Sequence, residues 1–451
     1  MKYLLFAVAA LGVPPFAWVL SMNRRWLRWA FAGVVAALCL YNQTSINFFS
    51  YEEYRGSSRG MEVSLAHLMA AAFLFVAAFK RKLPKFVPSR GAALFLVYFC
   101  LCLPSLGSAE NGLFAWMELW KMILLYVAYL SLRAFFNVTG DVKTFVGYMA
   151  LFVVWNFLLV VKDHFSGVYQ PHGVFPHQNG LAMAMHLFAN LFFAVYMVRG
   201  WRRAKLSSFA FVAAAACLLR TYSRGALAMV PVAFSVTFAL TAFAARAVRP
   251  RRLFARVLPV VLAGAVGLGA MLPRIVERFE TAPEASANTR VELARCAWEM
   301  IKDEPLRGVG INNWGIKINP PYPYADRAGR NTNRDEEFSD GIVETVYLLV
   351  GAECGIPALL AMIAWFVSYL VLGVRLCRKL RGTPWAAIPA GLSGGFVALY
   401  VQSCLEWTLR IQQNLFVLVF FFALLDHLDA TARKLRADWA AKTERSLHAT
   451  A

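Results

Sequence analysis

Long apolar runs, separated by short polar stretches, recur along almost the whole of this 451-residue chain. Each run is about as long as the roughly 20 apolar residues with which an α-helix crosses the hydrocarbon core of a bilayer. The pattern therefore predicts an all-α polytopic membrane protein with about 12 transmembrane helices. The predicted runs cover residues 1–21, 29–49, 63–79, 91–107, 113–136, 144–162, 181–198, 207–222, 225–245, 257–272, 356–374, 386–406 and 413–427.

Composition agrees with this interpretation, and only the first run is ambiguous. Hydrophobic residues make up 59% of the chain, whereas soluble domains are about 45–50% apolar. Pro14 and Pro15 lie inside the first run, and proline disfavours a helix interior. Two alternatives follow: the first run crosses the membrane and gives thirteen helices, or it is split and leaves twelve.

The formal net charge is +20, and its distribution predicts the topology. Lysine and arginine cluster in every second loop, which is typical of loops that stay in the cytoplasm. No basic face is interleaved with exposed aromatic residues, so we expect membrane lipids and not nucleic acid as partners. The clusters are Arg24, Arg25 and Arg28; Lys80, Arg81, Lys82 and Lys85; Arg199, Arg202, Arg203 and Lys205; Arg246, Arg249, Arg251 and Arg252; Arg375, Arg378, Lys379 and Arg381; and Arg433, Lys434 and Arg436.

One polar stretch, residues 273–355, is too long and too polar to be a short loop, and we call it the long polar segment. The alternation of loops predicts that it is periplasmic. The chain then divides into transmembrane helices with short loops (1–272), the long polar segment, C-terminal transmembrane helices (356–430) and a cytoplasmic tail (431–451). A polar segment on a rigid membrane scaffold is where chemistry is expected.

An amphipathic helix is predicted within the long polar segment, over TRVELARCAWEMIKDEP, and it ends at Pro305. Val291, Ala294, Trp298 and Ile301 recur at helical spacing. We therefore expect this stripe to face a core.

Two arginines, Arg220 and Arg224, stand four residues apart at the end of an apolar run. At this spacing we expect both to point the same way from one helix face. A guanidinium at membrane depth costs several kcal/mol unless it is paired or functional. Arginine binds phosphate oxygens through two N–H groups at once, so the pair predicts a site for a lipid-linked phosphate. The alternative is that one arginine extends to the interface while the other pairs with a carboxylate.

Other polar residues have both structural and functional interpretations. His172 and His177 lie in an outward loop and either bind acceptor phosphate or sugar or have no binding role. Asn179 is expected to cap a helix that begins at Gly180, or to orient a neighbouring loop. No metal-ligand pattern such as HExxH or paired CxxC is present, so no metal site and no cofactor are predicted.

Two opposite charges also lie within a predicted membrane run. Glu118 and Lys121 are three residues apart, a spacing at which helical side chains meet. We expect them to pair with each other inside the bundle, with a role in a donor site as the alternative.

Several short elements, taken in order, resemble the O-antigen ligase/polymerase superfamily. This superfamily includes WaaL-type O-antigen ligases, Wzy-type polymerases and bacterial protein O-oligosaccharyltransferases. The resemblance covers roughly the C-terminal two-thirds of the chain. Its elements are FPHQNGLAM (175–183); Ser223-Arg224-Gly225; Arg290 through Trp298; Asp303, Pro305, Leu306, Gly308 and Gly310; and Tyr347-Leu348, Ala352-Glu353 and Gly355.

The resemblance implies a GT-C-type glycosyltransferase of the bacterial inner membrane. Such an enzyme takes a glycan from undecaprenyl pyrophosphate and, as a ligase, transfers it to a lipid A-core hydroxyl on the periplasmic face. The reaction is inverting and needs no metal, because fixed positive charge stabilises the leaving pyrophosphate. The family's two functional arginines correspond to Arg224 and Arg290. With Arg220, His177, Asn179 and Tyr347 they form the predicted substrate-binding set.

One position departs from the family pattern. Ligases of this family usually have a histidine eleven residues before the final glycine of the Tyr-Leu element, and here that residue is Glu344. The long polar segment contains no histidine. A carboxylate at this position either acts as the general base that deprotonates the acceptor hydroxyl or pairs with a nearby arginine and orients it.

Other functions stay open at this point. A Wzy-type polymerase and a protein O-oligosaccharyltransferase differ from a ligase only in the acceptor. A polytopic lipid or glycan transporter is an alternative from a different class, but transporters typically carry internal repeats with matching broken helices. No such duplication is present in the sequence, and its polar residues concentrate in one late segment, which favours an enzyme.

Overall fold

The computed structural model describes residues 2–245, 250–280, 284–330 and 341–448. The described chain is almost entirely helical, as predicted. Two three-residue strands, β1 (Ile46–Phe48) and β2 (Met61–Val63), pair antiparallel with Ile46 opposite Val63. The helices are α1 (Lys2–Met22), α2 (Arg24–Cys39), α3 (Tyr41–Thr44), α4 (Leu65–Phe79), α5 (Arg90–Cys102), α6 (Gly112–Thr139), α7 (Val142–Phe165), α8 (Gln178–Arg199), α9 (Lys205–Arg220), α10 (Arg224–Ala244), α11 (Pro250–Glu280), α12 (Glu284–Asp303), α13 (Trp314–Lys317), α14 (Tyr324–Arg327), α15 (Val346–Lys379), α16 (Ala387–Gln402) and α17 (Gln412–His448).

Nine helices of the described chain are long and apolar enough to cross a membrane, so the protein is a multi-pass membrane protein. They span Lys2–Met22, Arg90–Gly107, Gly112–Thr139, Val142–Phe165, Gln178–Arg199, Arg224–Ala244, Val346–Lys379, Pro384–Gln402 and Gln412–Arg445. The first run forms one continuous helix with Pro14 and Pro15 inside it, so the split considered above does not occur. The count of twelve or thirteen crossings stays a prediction.

Outside these nine spans, three of the predicted runs form helices that are short for a full crossing. α2 has 16 residues, α4 has 15 and α9 has 16, compared with the roughly 20 residues that a bilayer requires. α2 ends early because the chain turns at Leu40 into a short helix and then into β1. The apolar run at 29–49 therefore continues beyond the helix that it begins.

The chain forms two compact units, and each is assembled from separate segments. The first unit contains residues 1–140, 281–368 and 401–420. It includes nearly all of the long polar segment. Residues 281–283 and 331–340 of that segment lie outside the described residues. The second unit contains residues 141–280, 369–400 and 421–451. The sequence-based division into four linear regions concerns topology and stays a prediction.

In the second unit, α8 is buried on almost every face, as expected for a helix that is apolar all round. Glycines on α16 let the two backbones approach closely. A Cβ on Gly391 would lie 2.5 Å from the Cα of Leu191, and a Cβ on Gly395 would lie 2.9 Å from the Cα of Leu187. Small residues at such contacts are typical of helix packing in membranes.

In the first unit, α12 is present as predicted, but its buried face is not the predicted one. Val291 and Trp298 are exposed, and of the predicted stripe only Ile301 is fully buried. The core contacts come instead from a neighbouring stripe that includes two small residues. This stripe comprises Leu293, Cys296, Ala297, Met300 and Ile301, which pack with Val309, Trp314, Val343 and Leu349. The prediction was wrong because two overlapping apolar stripes run along this helix, and the one that contains Trp298 was chosen over the one that contains Leu293 and Met300.

Candidate active site

Two of the motifs that carry the family resemblance contact each other through their backbones. The turn at 305–310 lies against the helix break in α15, where Gly355 has a φ of 82°. Val309 N donates to Ala352 O at 2.9 Å, Gly310 N to Glu353 O at 3.1 Å, and Ile356 N to Pro305 O at 2.8 Å. These bonds attach the end of α12 directly to α15.

Glycine is required on both sides of this contact. A Cβ on Gly308 would lie 2.4 Å from the backbone carbon of Glu353, and a Cβ on Gly355 would lie 2.5 Å from that of Leu306. Both glycines also have positive φ, a conformation that side-chain-bearing residues rarely adopt. The two motifs are therefore one structural unit, although 45 or so residues separate them along the chain.

A cluster of four charged side chains lies buried beneath this junction. The predicted pair is confirmed, because Lys121 Nζ lies 2.6 Å from Glu118 Oε2. Arg410 then joins two carboxylates, with Nε 3.3 Å from Glu118 Oε1 and Nη2 2.7 Å from Glu353 Oε2. Lys121 Nζ also donates to the carbonyl oxygen of Arg410 at 2.5 Å. The four formal charges sum to zero.

The balance of charges explains how this cluster tolerates burial. Each of the four side chains is less than 5% exposed. Burial acts to lower the pKa of Arg410, but Glu118 and Glu353 outweigh it and raise that pKa above its usual value. An ion removed from water is stable only when its partners and hydrogen bonds compensate for the lost hydration.

Glu353 also connects the charged cluster to the long polar segment. Its Oε1 accepts from the backbone N–H of Trp314 at 3.4 Å, and Ser57 and Ser58 donate to Glu118 at 2.9 and 2.6 Å. The side chain of Asn312 donates to the carbonyl oxygen of Ser58 at 2.9 Å. The loop before β2 and the long polar segment are thus fixed to the same buried charges.

The loop that precedes α6 provides a second attachment. Asn111 N donates to Asn313 Oδ1 at 2.8 Å, and Asn313 Nδ2 donates back to Asn111 O at 3.2 Å. The hydroxyl of Tyr322 donates to Glu110 at 2.5 Å, and with nearby Lys317 it lowers the pKa of that carboxyl. The described part of the long polar segment is therefore held at several points.

Arg290 and Glu344, both predicted site residues, form an ion pair in this anchored segment. Arg290 is on α12, and Glu344 stands two residues before α15. Their side chains are 36% and 34% exposed overall, while the paired atoms, Arg290 Nε and Glu344 Oε2, are buried against each other. Pairing is the arrangement expected if Glu344 orients an arginine. Tyr347, in the first turn of α15, is half-buried close by in sequence.

Arg220 and Arg224 do not share a helix face, contrary to the prediction. α9 ends at Arg220, and α10 begins at Arg224 with Ser223 as the N-cap. Tyr222, between them, has a φ of 49°, which breaks the helical path. Both arginines are half-buried and belong to the second unit.

Arg220 has aromatic and polar partners in the second unit. Its Nη1 donates to the hydroxyl of Tyr222 at 2.8 Å, and its Nη2 lies 2.8 Å from Nδ1 of His164. Since a guanidinium can only donate, Nδ1 is the acceptor. The rings of Tyr169 and Tyr222 are stacked with centroids 5.3 Å apart. Arg220 therefore does not pair with a carboxylate among the contacts of the described residues.

Arg224 is the first residue of α10, at the positive end of the helix dipole. A cation at this end is disfavoured by roughly 0.3–1 kcal/mol. The same arrangement of positive charge and helix N-terminus suits an anionic ligand. This placement is consistent with a phosphate-binding role for Arg224.

The loop before α8 differs in detail from the prediction. α8 begins at Gln178, and His177 is its N-cap, with the imidazole accepting from Asn179 N at 3.2 Å. Asn179 therefore lies in the first turn and is not the cap. His172 Nδ1 lies 2.5 Å from the carbonyl oxygen of Phe175 within the same loop. Both histidines have local structural partners and remain exposed.

Sequence reasoning missed Arg410 as a partner of Glu118, and it missed Glu353 as the second carboxylate that Arg410 binds. Arg410 gave a weak signal, since it is a lone charge between two apolar runs, and Glu353 belongs to a motif of the family. Among the residues that the structure describes, no group of three or more His, Cys, Asp or Glu side chains is arranged to hold a metal.

Comparison with known proteins gives one finding. The model of the O-antigen ligase family matches residues 209–363, which is about a third of the chain. The sequence motifs had suggested that the resemblance covers about two-thirds. The match includes Arg220, Arg224, Arg290 and Glu344, and the element at 175–183 lies outside it. No curated protein is significantly similar to this chain. The match at residues 209–363, on a multi-pass helical membrane protein, supports membership of the O-antigen ligase/polymerase superfamily.

Proposed function

We propose that this protein is an O-antigen ligase of the bacterial inner membrane. It would transfer a glycan from undecaprenyl pyrophosphate to a hydroxyl of lipid A-core on the periplasmic face. The observation that carries the proposal is the partly exposed ion pair of Arg290 with Glu344, inside the segment that the family model matches. A GT-C-type arrangement with the long polar segment in the periplasm is part of the same proposal.

The chemistry requires one proton transfer and one displacement. The acceptor hydroxyl gives its proton to the Glu344 carboxylate while its oxygen attacks the anomeric carbon of the glycan. The bond from that carbon to the pyrophosphate oxygen breaks, and the electron pair leaves with the pyrophosphate. The configuration at the anomeric carbon inverts, because the attack is from the opposite face.

Fixed positive charge is expected to stabilise the leaving group. Arg290 on α12 and Arg224 at the start of α10 are the candidates, and guanidinium groups suit phosphate because they bind two oxygens at once. Arg220, His177, Asn179 and Tyr347 complete the proposed substrate-binding set. No nucleotide sugar is needed, since the donor already carries an activated anomeric carbon.

Reconstitution of the purified protein with undecaprenyl-pyrophosphate glycan tests the proposal. The acceptors are lipid A-core, a second lipid-linked glycan and a pilin-like protein, each offered separately. Covalent transfer to lipid A-core supports a ligase, whereas elongation of the lipid-linked glycan would identify a polymerase and transfer to the protein an O-oligosaccharyltransferase. Movement of the glycan across the bilayer without a new glycosidic bond would identify a transporter.

The residue at position 344 provides the first prediction. We expect Glu344→Gln to lose most transfer activity, because glutamine retains size and hydrogen bonds but cannot accept the proton. Glu344→His should retain part of the activity, since imidazole is a base near neutral pH. Rates are measured at saturating donor and acceptor in the reconstituted system.

Glu304→Gln is the matched control, because Glu304 also pairs with an arginine of the long polar segment, Arg307, at 3.0 Å. It should transfer at the wild-type rate. A Glu344→Gln protein as active as wild type would show that Glu344 only orients Arg290.

A second prediction concerns metals. Transfer is expected to continue in excess EDTA, because the proposed leaving-group stabilisation comes from arginines and not from a divalent cation. The measurement compares initial rates before and after chelation. Loss of activity in EDTA that added Mg²⁺ or Mn²⁺ restores would contradict this mechanism.

A further inference from the structure

One face of α12 is exposed from Asn288 to Lys302. The exposed positions are spaced at intervals of three and four residues, so they form a single stripe on the helix surface. Trp298, near the middle of the stripe, is 54% exposed. The stripe comprises Asn288, Val291, Arg295, Trp298 and Lys302.

The stripe combines apolar and basic side chains. Val291 and Trp298 are apolar or interfacial, and Arg295 and Lys302 are cationic. Arg295 forms no ion pair with any residue of the described chain, whereas Lys302 Nζ lies 2.6 Å from Glu299 Oε1. Tryptophan prefers the headgroup level of a bilayer, and lysine or arginine stems pack on apolar surface while the charge reaches phosphate. This combination is typical of a helix that lies in a membrane interface.

The stripe ends beside a face of α15 that has the character of a lipid contact. Leu306, just after α12, is 75% exposed, and the adjacent Pro305 O accepts from Ile356 N at 2.8 Å. From this point α15 continues as part of a predicted membrane span. Its exposed side chains recur at helical spacing, namely Ile356, Leu360, Ile363 and Val367.

These observations concern one continuous part of the first unit and do not depend on the proposed reaction. We infer that α12 lies on the outer surface of the membrane, with its exposed stripe against anionic phospholipid headgroups. Trp298 and Val291 enter the boundary between headgroups and acyl chains. Arg295 and Lys302 bind headgroup phosphates. This contact would hold Arg290, on the same helix, close to the membrane surface.

Photo-crosslinking in lipid nanodiscs tests the inference on the intact protein. p-Benzoylphenylalanine replaces Trp298, and separate variants carry it at Leu360 as the lipid-facing control and at Asp326 as an exposed control away from the stripe. The discs contain phosphatidylethanolamine with a minor share of phosphatidylglycerol, and mass spectrometry identifies each adduct. We expect phospholipid adducts at positions 298 and 360 and none at 326.

The anionic preference is measured in the same experiment. Phosphatidylglycerol adducts at position 298 should exceed their share of the bilayer by about fivefold, the factor expected for one cation near an anionic surface. The double variant Arg295→Gln/Lys302→Gln should remove this enrichment and keep the adduct.

Three results would overturn the inference. The first is the absence of lipid adducts at 298 while position 360 forms them, and the second is an adduct between two copies of the chain. The third is an adduct profile at 298 that equals the bilayer composition, which would refute binding of headgroup phosphates by Arg295 and Lys302. None of these results depends on glycan transfer, so the proposed function is tested separately.

Discussion

Alanine in place of Arg224 or of Arg290 is expected to reduce glycan transfer by about 10²–10³ while the protein stays folded and inserted. Both arginines are half-buried, and both belong to the segment that the family model matches. Loss of a fixed cation next to the leaving pyrophosphate removes stabilisation that exists mainly in the transition state. The decrease should therefore appear in kcat, with a smaller change in KM.

Lysine at either position should restore only part of the activity, because an ammonium group cannot bind two phosphate oxygens in the planar geometry of a guanidinium. Arg307→Ala and Arg202→Ala are the controls, since both residues are exposed arginines in the same two units. They are expected to transfer at the wild-type rate. Full activity of Arg224→Ala would show that Arg224 has no role in the mechanism. Full activity of Arg290→Ala would show that the ion pair with Glu344, on which the proposal rests, is not needed for transfer.

The sequence predicted the features that depend on local spacing. Glu118 and Lys121 are three residues apart on one helix, so their ion pair follows from helical geometry alone. The helical class of the fold follows in the same way from the length of the apolar runs. A contact between residues that lie far apart along the chain leaves no such local pattern in the sequence. Arg410 meets Glu118 and Glu353 from another part of the chain, and only the folded structure brings the three together.

Errors arose where small or polar residues decide the local structure. On α12, Cys296 and Ala297 face the core, while the larger Trp298 points outward. At the arginine pair, the predicted runs at 207–222 and 225–245 already left a break, but the spacing of four residues was given more weight, although Ser223 is a typical N-cap residue. The N-cap of α8 was also predicted wrongly, because His177 caps this helix in place of the expected Asn179.

The candidate site was predicted in part. The pairing of Glu344 with an arginine was one of two interpretations open from the sequence, and the structure identifies that arginine as Arg290. The sequence could not reveal that the motifs around Gly308 and Gly355 form one backbone junction. The order of the motifs shows only that both are present in the chain. The hydrogen bonds between 305–310 and 352–356 bring the two backbones together, which explains why glycine is needed at the contact.

Replacement of Arg410 with methionine is expected to destabilise the first unit by about 3–5 kcal/mol, the cost typical of a buried charge left without its partner. Methionine fills much of the same space, so the main loss is electrostatic. Glu118 would retain Lys121, but the Glu353 side chain would retain no cation and only backbone hydrogen bonds, among them the one from Trp314 N at 3.4 Å. The measurement is the free energy of unfolding in detergent micelles, supported by the thermal midpoint.

The double variant Glu353→Gln/Arg410→Met separates the charge effect from a packing effect. Removal of the carboxylate charge together with the guanidinium should recover part of the lost stability, because the buried negative charge no longer lacks a partner. Asp303→Asn at the exposed pair with Arg327, 2.7 Å apart, is the control and should cost at most about 1 kcal/mol. If Arg410→Met alone were as stable as this control, the buried cluster would not hold the long polar segment. The junction around Gly308 and Gly355, together with the bonds between Asn111 and Asn313, would then have to position Arg290 and Glu344 without it.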